Sequence, residues 1–270
     1  MPTAPVTFTL DLEDQRGPNG SRYAAPTRQL LGELHEDGVR GTVFVVGELA
    51  EADPGLVRDI AAQGHELALH GWRHVPLTTL TPDEFRAETA RGKAVLEDLA
   101  QRPVLGYRAP TFSLVRDSRW APEVLSELGF SYSSSVLPAR NPLFGDPECP
   151  PRLFRWPSGL VELPCPVVRF GDIGVPFLGG VYLRVLPLPV VRLARRFQSA
   201  DQVLWVYCHP YDFDPDEPFW VRPEAGQLGS RLLWHGRRHM LAKVRQLLRD
   251  GAAPPLGERV PTLLPERASA

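Results

Sequence analysis

Residues 41–47, Gly-Thr-Val-Phe-Val-Val-Gly, are an unbroken apolar run with glycine at each end. Such a run suits a strand covered on both faces, as in parallel sheets packed between helices. The neighbouring segments support that reading. Residues 6–10 form a β-branched strand, and residues 26–37 carry Leu30, Leu31 and Leu34 at helical spacing before Gly38. Residues 56–63 are helical, with Gly64 where a C′ glycine is expected, and 66–69 follow as a third strand. The chain therefore opens βαβαβ.

The alternation continues. Thr81-Pro82-Asp83-Glu84 has the parts of a capped helix start, with threonine at the N-cap, proline at N1 and glutamate at N3. That helix is expected to run to about Ala100, with Phe85, Val95, Leu96 and Leu99 facing a sheet. Strands are expected over 105–110, 130–132, 159–164 and 203–208, and helices over 118–128 and 188–197. Residues 228–249 read as one basic amphipathic helix, and the tail after Gly251 as frayed or lying on the surface. The 29 prolines cluster in 138–166, 210–223 and 254–265, which points to long ordered loops rather than linkers between domains. We expect one domain over 1–270: a core over about 5–215, a helical extension over about 216–250 and a tail over 251–270. The α/β order predicts a closed or nearly closed barrel of parallel strands, with an open doubly wound sheet as the alternative.

In either architecture the strand C-termini gather on one face. Asp11, Glu13 and Asp14 follow the first strand, His70 and His74 the third, Arg108 the fourth, and His209 the last. In strand geometry Asp11 and Glu13 point the same way, while Asp14 turns off into the loop. Two imidazoles and a carboxylate make a three-ligand divalent-metal site with open positions. A cation there activates water and polarises a carbonyl, a free carboxylate takes the water's proton, and a histidine across the pocket protonates a leaving nitrogen. These are the parts for hydrolysis of an ester or amide.

A net charge of −2 gives no support for a nucleic-acid partner. No apolar run reaches transmembrane length and the N-terminus enters a strand directly, so a soluble, cytoplasmic protein is expected. Cys149, Cys165 and Cys208 lack CxxC spacing and read as reduced, buried thiols. His235 and His239 have arginines between them and no carboxylate beside them, and read as a solvated basic face.

Thr9-Leu10-Asp11-Leu12-Glu13-Asp14, His70 to His74, Arg108-Ala109-Pro110 and Cys208-His209-Pro210, in that order, resemble the successive motifs of the polysaccharide deacetylase family, carbohydrate esterase family four. The connecting stretches 42–47, 64–70 and 106–112 match as well, so the resemblance covers roughly residues 5–215. Asp-x-Glu-Asp and the helical extension are more like the subgroup beside exosortase and exopolysaccharide loci than the secreted chitin deacetylases.

The resemblance implies a distorted (β/α) barrel, usually of seven strands, that removes N-acetyl groups from an amino sugar or glycan with zinc, or with cobalt, manganese or nickel. It implies Asp11 as base, Arg108 as the residue orienting it, His209 as acid, His70 and His74 as metal ligands, and Trp72, Pro110, Phe112 and Trp205 as substrate contacts. The family usually has two adjacent aspartates, the second a metal ligand, but Leu12 stands there; Glu13 or Asp14 must supply that carboxylate, with Glu13 preferred. Ser133 replaces an aspartate common in the fourth motif, a change expected to slow catalysis if that aspartate holds the acid or the arginine. Two other readings are a metal-independent hydrolase of a cyclic amide, as in allantoinase-like relatives, and a catalytically retired carbohydrate-binding protein.

Overall fold

The structure is a computed structural model that describes residues 4–15, 20–141, 143–170, 173–198, 202–223 and 225–263. Seven strands form the main path of its parallel sheet: β1 (Val6–Leu12), β2 (Thr42–Val45), β3 (Glu66–Leu69), β4 (Gly106–Tyr107), β5 (Tyr132–Ser133), β7 (Val161–Glu162) and β10 (Leu204–Cys208). They lie in the order β10-β1-β2-β3-β4-β5-β7, and β6 (Phe154–Arg155) adds antiparallel to β7 at the edge. The sheet curls into the distorted barrel expected from the βα alternation. Among the described residues no ladder joins β7 to β10, and Gly179, bridged to Tyr207, helps fill that gap. A Cβ at Gly179 would lie 2.3 Å from the Tyr207 carbonyl oxygen, so no larger residue fits there.

Side chains alternate across the sheet with period two and so divide into two packed layers. Val6, Phe8, Leu10, Leu12, Val43, Val45, Leu67, Leu69, Leu204, Val206 and Cys208 belong to the outer layer, under the helices. Phe44, Ala68, Tyr132, Val161, Trp205 and Tyr207 belong to a separate inner cluster. The helices over the outer layer include α1 (Ala24–Glu36), α2 (Gly47–Ala52), α3 (Pro54–Ala62), α4 (Pro82–Ala100) and α5 (Ala121–Glu127). The expected capping box of α4 is present, with Thr81 and Glu84 bonded reciprocally.

The second half of the chain departs from the sequence reading in three places. Strands β8 (Val167–Phe170) and β9 (Ile173–Pro176) form a hairpin where the sequence reading places no element, followed by the equally unexpected α6 (Gly180–Val185) and by α7 (Leu188–Arg196), the helix expected over 188–197. The single helix expected over 228–249 is two, α8 (Gly226–Trp234) and α9 (Arg237–Arg249). They break at Gly236, whose φ of 77° is left-handed and ends the helical path.

The tail is the third. β11 (Ala252–Ala253) pairs parallel with the start of β1, and α10 (Leu256–Leu263) closes the barrel floor, which corrects the expectation of a frayed end up to residue 263; residues 264–270 lie outside the described residues. Leu256 and Val260 enter the inner cluster. The Leu256 amide donates to Thr42 Oγ1 at 2.9 Å, and the Gly257 amide to Glu66 Oε2 at 2.9 Å. The Arg259 guanidinium donates to Thr7 Oγ1 and to the Leu204 carbonyl, both at 3.1 Å. All four partners lie at strand N-terminal ends, so the C-terminal ends are left for chemistry. Leu256 is fully buried, and Leu256→Ala is expected to cost about 3 kcal/mol in urea unfolding, with the transition slope unchanged; a loss under about 1 kcal/mol would show that α10 does not support the barrel.

Candidate active site

Asp11, His70, Arg108 and His209 all come from the C-terminal ends of parallel strands. Asp11 follows Thr7 and Thr9 on the inward face of β1, and Glu13 comes one alternation later. Leu12, between them, is fully buried in the outer layer, which is why the two useful carboxylates stand two positions apart here. His70 is the first residue beyond β3, Arg108 the first beyond β4, and His209 the first beyond β10.

The loop from His70 to His74 turns back on itself. Gly71 and His74 both have left-handed backbone, at φ of 73° and 55°. The loop carbonyls of Gly71 and Trp72 accept from the Gly47 and Glu48 amides at 2.9 and 3.0 Å, pinning the turn to the start of α2. This brings the rings of His70 and His74 to 5.0 Å, centroid to centroid. A non-glycine residue in a left-handed conformation is held by its surroundings at some energetic cost, a pattern that concentrates at functional sites.

One ligand atom each from Glu13, His70 and His74 lies within 4.8 Å of the others. His70 Nδ1 donates to the Arg108 carbonyl at 2.9 Å, which leaves the Nε2 lone pair for a ligand role. Burial pushes the His70 imidazole down to about 4, so it is neutral at physiological pH. Burial alone would raise the Glu13 carboxyl, but the contact with His74 and the charges of His209 and His70 hold it well below the usual carboxylate range. Burial disfavours the charged His74 imidazole, and the bonded Glu13 carboxylate outweighs it, raising His74. The anionic carboxylate and two imidazoles match the donor set that takes a divalent metal. Asp14 is not part of this cluster: it accepts from Ser21 at the cleft edge.

Arg108 is fully buried inside the barrel. Its Nη1 donates to Asp11 Oδ1 at 2.5 Å and to Thr9 Oγ1 at 2.9 Å, while Nε and Nη2 reach the Ser134 carbonyl and hydroxyl at 3.2 and 3.1 Å. The guanidinium lies between the rings of Phe44 and Trp205, at 3.9 and 4.3 Å from their centroids. Asp11 is thereby fixed at one oxygen, and the residue lines the cleft.

His209 is held by a residue that sequence reasoning missed. Asp212 Oδ2 accepts from the His209 backbone amide at 2.8 Å and from its Nδ1 at 3.1 Å. Asp212 is itself fully buried against Arg184, at 3.0 Å. Burial lowers the His209 imidazole, but the Asp212 bond and the charges of Glu13, Asp212 and Asp11 override it and bring it up to about 9. The available signal was local: an acidic residue three positions after a strand-end histidine, at a proline-initiated turn. Ser133, which stands where the family often has aspartate, donates to Ser135, and Ser135 in turn accepts from the Ala109 amide at 2.8 Å. The Ser133 position thus supports the arginine segment, and the carboxylate that orients the acid comes from the turn after it.

The site opens into a cleft of about 700 Å³ lined by Asp11, Glu13, Asp14, His70, His74, Arg108 and His209. Of the aromatic and proline contacts expected, Phe112 lines the cleft and the other three do not. Trp72 is corrected to a packing role: it lies buried where a Cβ at Gly47 would meet its ring at 2.3 Å, with Arg91 stacked on it at 3.9 Å. Trp205 is buried beneath Arg108, and Pro110 packs beside Gly71. Cys149, Cys165 and Cys208 are free and buried, and Cys208 belongs to the outer layer, away from the cleft. His235 and His239 are both exposed.

Residues 6–133 match the polysaccharide deacetylase family, and residues 134–253 match a domain of unknown function, DUF3473. The sheet crosses that boundary, because β7 pairs with β5 and β10 with β1. A peptidoglycan-N-acetylglucosamine deacetylase of Bacillus cereus is 31% identical over 98 residues, 36% of this chain and 36% of that protein. The matched part spans about a third of that relative's length. Among solved structures, one from Mycobacterium smegmatis described as a polysaccharide deacetylase aligns over 100% of this chain and 98% of that one, with a TM-score of 0.60 and 23% identity. A pseudoenzyme of carbohydrate esterase family four from Bacillus anthracis shares the fold at a TM-score of 0.50 and 13% identity, over 96% of this chain and 66% of its own. Fold alone therefore does not decide activity here, and the side chains at the strand ends must.

Proposed function

The chain belongs to the polysaccharide deacetylase family through residues 6–133, and on that premise we propose that it is a metal-dependent hydrolase releasing acetate from an N-acetylated amino sugar or glycan. The observation that carries the reading is the convergence of Glu13, His70 and His74 with a positioned carboxylate, Asp11, and a positioned imidazole, His209, in one cleft. Glu13, His70 and His74 would hold the cation, which supplies Lewis acidity toward water and the amide carbonyl.

The chain's own residues do the proton work. Asp11 is anchored through Oδ1 by Arg108, and its other oxygen takes the proton of the attacking water. His209 donates through Nδ1 to Asp212, and in its imidazolium form Nε2 carries the proton that passes to the leaving amine. Its elevated value keeps that proton in place at neutral pH. The Arg108 carbonyl fixes the tautomer of His70, so one residue orients both a base and a ligand.

A retired protein has no need of a buried ion pair behind its base and another behind its acid, and both are present. The assignment of the third ligand has a direct test. Glu13→Gln is expected to lower zinc affinity at least about 10-fold, whereas Asp14→Asn keeps it within about twofold. Equilibrium zinc titration of both variants checks this; equal losses, or a loss confined to Asp14→Asn, would move the carboxylate ligand to Asp14.

A further inference from the structure

We propose that the amino sugar taken by this cleft is carried through phosphate on a lipid chain, and that the chain lies along one apolar face of α8. The inference rests on the hydrolytic reading of the same cleft and deepens it by naming a substrate class.

The two walls of the cleft differ in kind. The wall at the strand ends carries the carboxylates and imidazoles. Facing them from the second half of the chain are Leu143, Val181, Gly229, Leu232 and Leu233, with Arg222 the charged residue that half adds besides His209. A sugar ring presents hydroxyls and flat C–H faces, which are met by side-chain hydrogen bonds and aromatic planes. An aliphatic wall offers neither and matches a hydrocarbon.

The wall continues out of the cleft. Ala225, Leu228, Gly229 and Leu232 recur at helical spacing along α8 and at its N-cap, forming one stripe. Ala225, Gly229 and Leu232 line the cleft, while Leu228 is 80% exposed and Leu232 47% exposed. Leu143 adds a further aliphatic side chain at 78% exposure. An apolar strip running from a polar pocket into solvent marks a ligand contact. A protein seated on it would cover the mouth over Glu13, His70 and His74, because the same helix lines both. A chain attached to the sugar occupies strip and pocket together. Arg222, whose Nη1 donates to Gln15 Oε1 at 2.5 Å, gives this wall one cation suited to a phosphate joining sugar to lipid.

The test uses the zinc-loaded full chain and the methyl, octyl and dodecyl esters of N-acetylglucosamine 1-phosphate, each below its micelle concentration. Acetate release is expected with a KM for the dodecyl ester at least about 10-fold below that for the methyl ester, since affinity grows with each methylene buried. In Leu232→Asp and in Leu228→Asp, the latter at a solvent-exposed position that leaves folding intact, the ratio is expected to fall to within about twofold. Equal kcat/KM for the three esters overturns the lipid inference and leaves the deacetylase reading standing. Absence of acetate from every ester, with the dodecyl ester still binding about 10-fold tighter than the methyl ester in equilibrium titration, sinks the deacetylase reading and keeps the lipid preference. A dimer that Leu228→Asp dissociates, with no chain-length preference, assigns the stripe to a second copy and overturns the inference.

Discussion

Asp11→Asn is expected to lower kcat for acetate release by about 10³-fold while zinc content and fold stay close to those of the parent. The amide keeps the shape of the carboxylate and one oxygen able to accept from Arg108, so the geometry behind the site is preserved. What it loses is the second oxygen's basicity toward water. Asp11 is not in the cluster of Glu13, His70 and His74, so the cation should be retained. Steady-state kinetics with metal analysis on the same preparation separates the two effects. A variant that loses zinc and activity together would make Asp11 a ligand instead of a base.

Arg108→Met is expected to be the most damaging single substitution in the barrel. It removes a fully buried guanidinium from between Phe44 and Trp205 and leaves the Asp11 carboxylate, only 3% exposed, without its partner. Removing one member of a buried pair commonly costs about 3–5 kcal/mol, because the remaining charge is uncompensated. Ser134 and Thr9 lose their donors as well. Since Asp11 is then unanchored, kcat should fall at least about 10²-fold in whatever fraction remains folded. Adding Asp11→Asn to Arg108→Met removes the orphan charge, so the double variant should recover about half of the lost stability in denaturant unfolding. A double variant less stable than Arg108→Met by the full cost of Asp11→Asn would show that the two residues are not coupled.

Much of this arrangement is legible in the sequence because the strands impose period two and end in polar residues. Seven parallel strands follow from the β-branched and apolar runs, and the inward alternation alone pairs Asp11 with Glu13 across Leu12. The sequence does not show the tail's role. Residues 252–263 are broken by Pro254, Pro255 and Pro261 and show no clear period, and their packing depends on Thr42, Glu66 and Thr7, which are brought together only by the finished sheet. The break of the last long helix rests on one glycine, Gly236, that is compatible with either path until Arg184 occupies the space beside it. Trp72 shows the limit of reading aromatics by their neighbours: it follows His70 closely in sequence, yet the left-handed turn at Gly71 sends it under α2. Asp212 is not legible in the sequence, because its two contacts with His209, to the backbone amide and to an imidazole nitrogen, form only when the turn after His209 closes.

The claim that the site works through a divalent cation held by Glu13, His70 and His74 is tested most directly by stripping the protein with chelator, dialysing the chelator away and measuring acetate release from an N-acetylated amino-sugar substrate before and after zinc is returned. The expected result is loss of activity in the stripped protein and its return at about one zinc per chain, with no return in Glu13→Gln. Full acetate release from protein shown to be free of metal would contradict it.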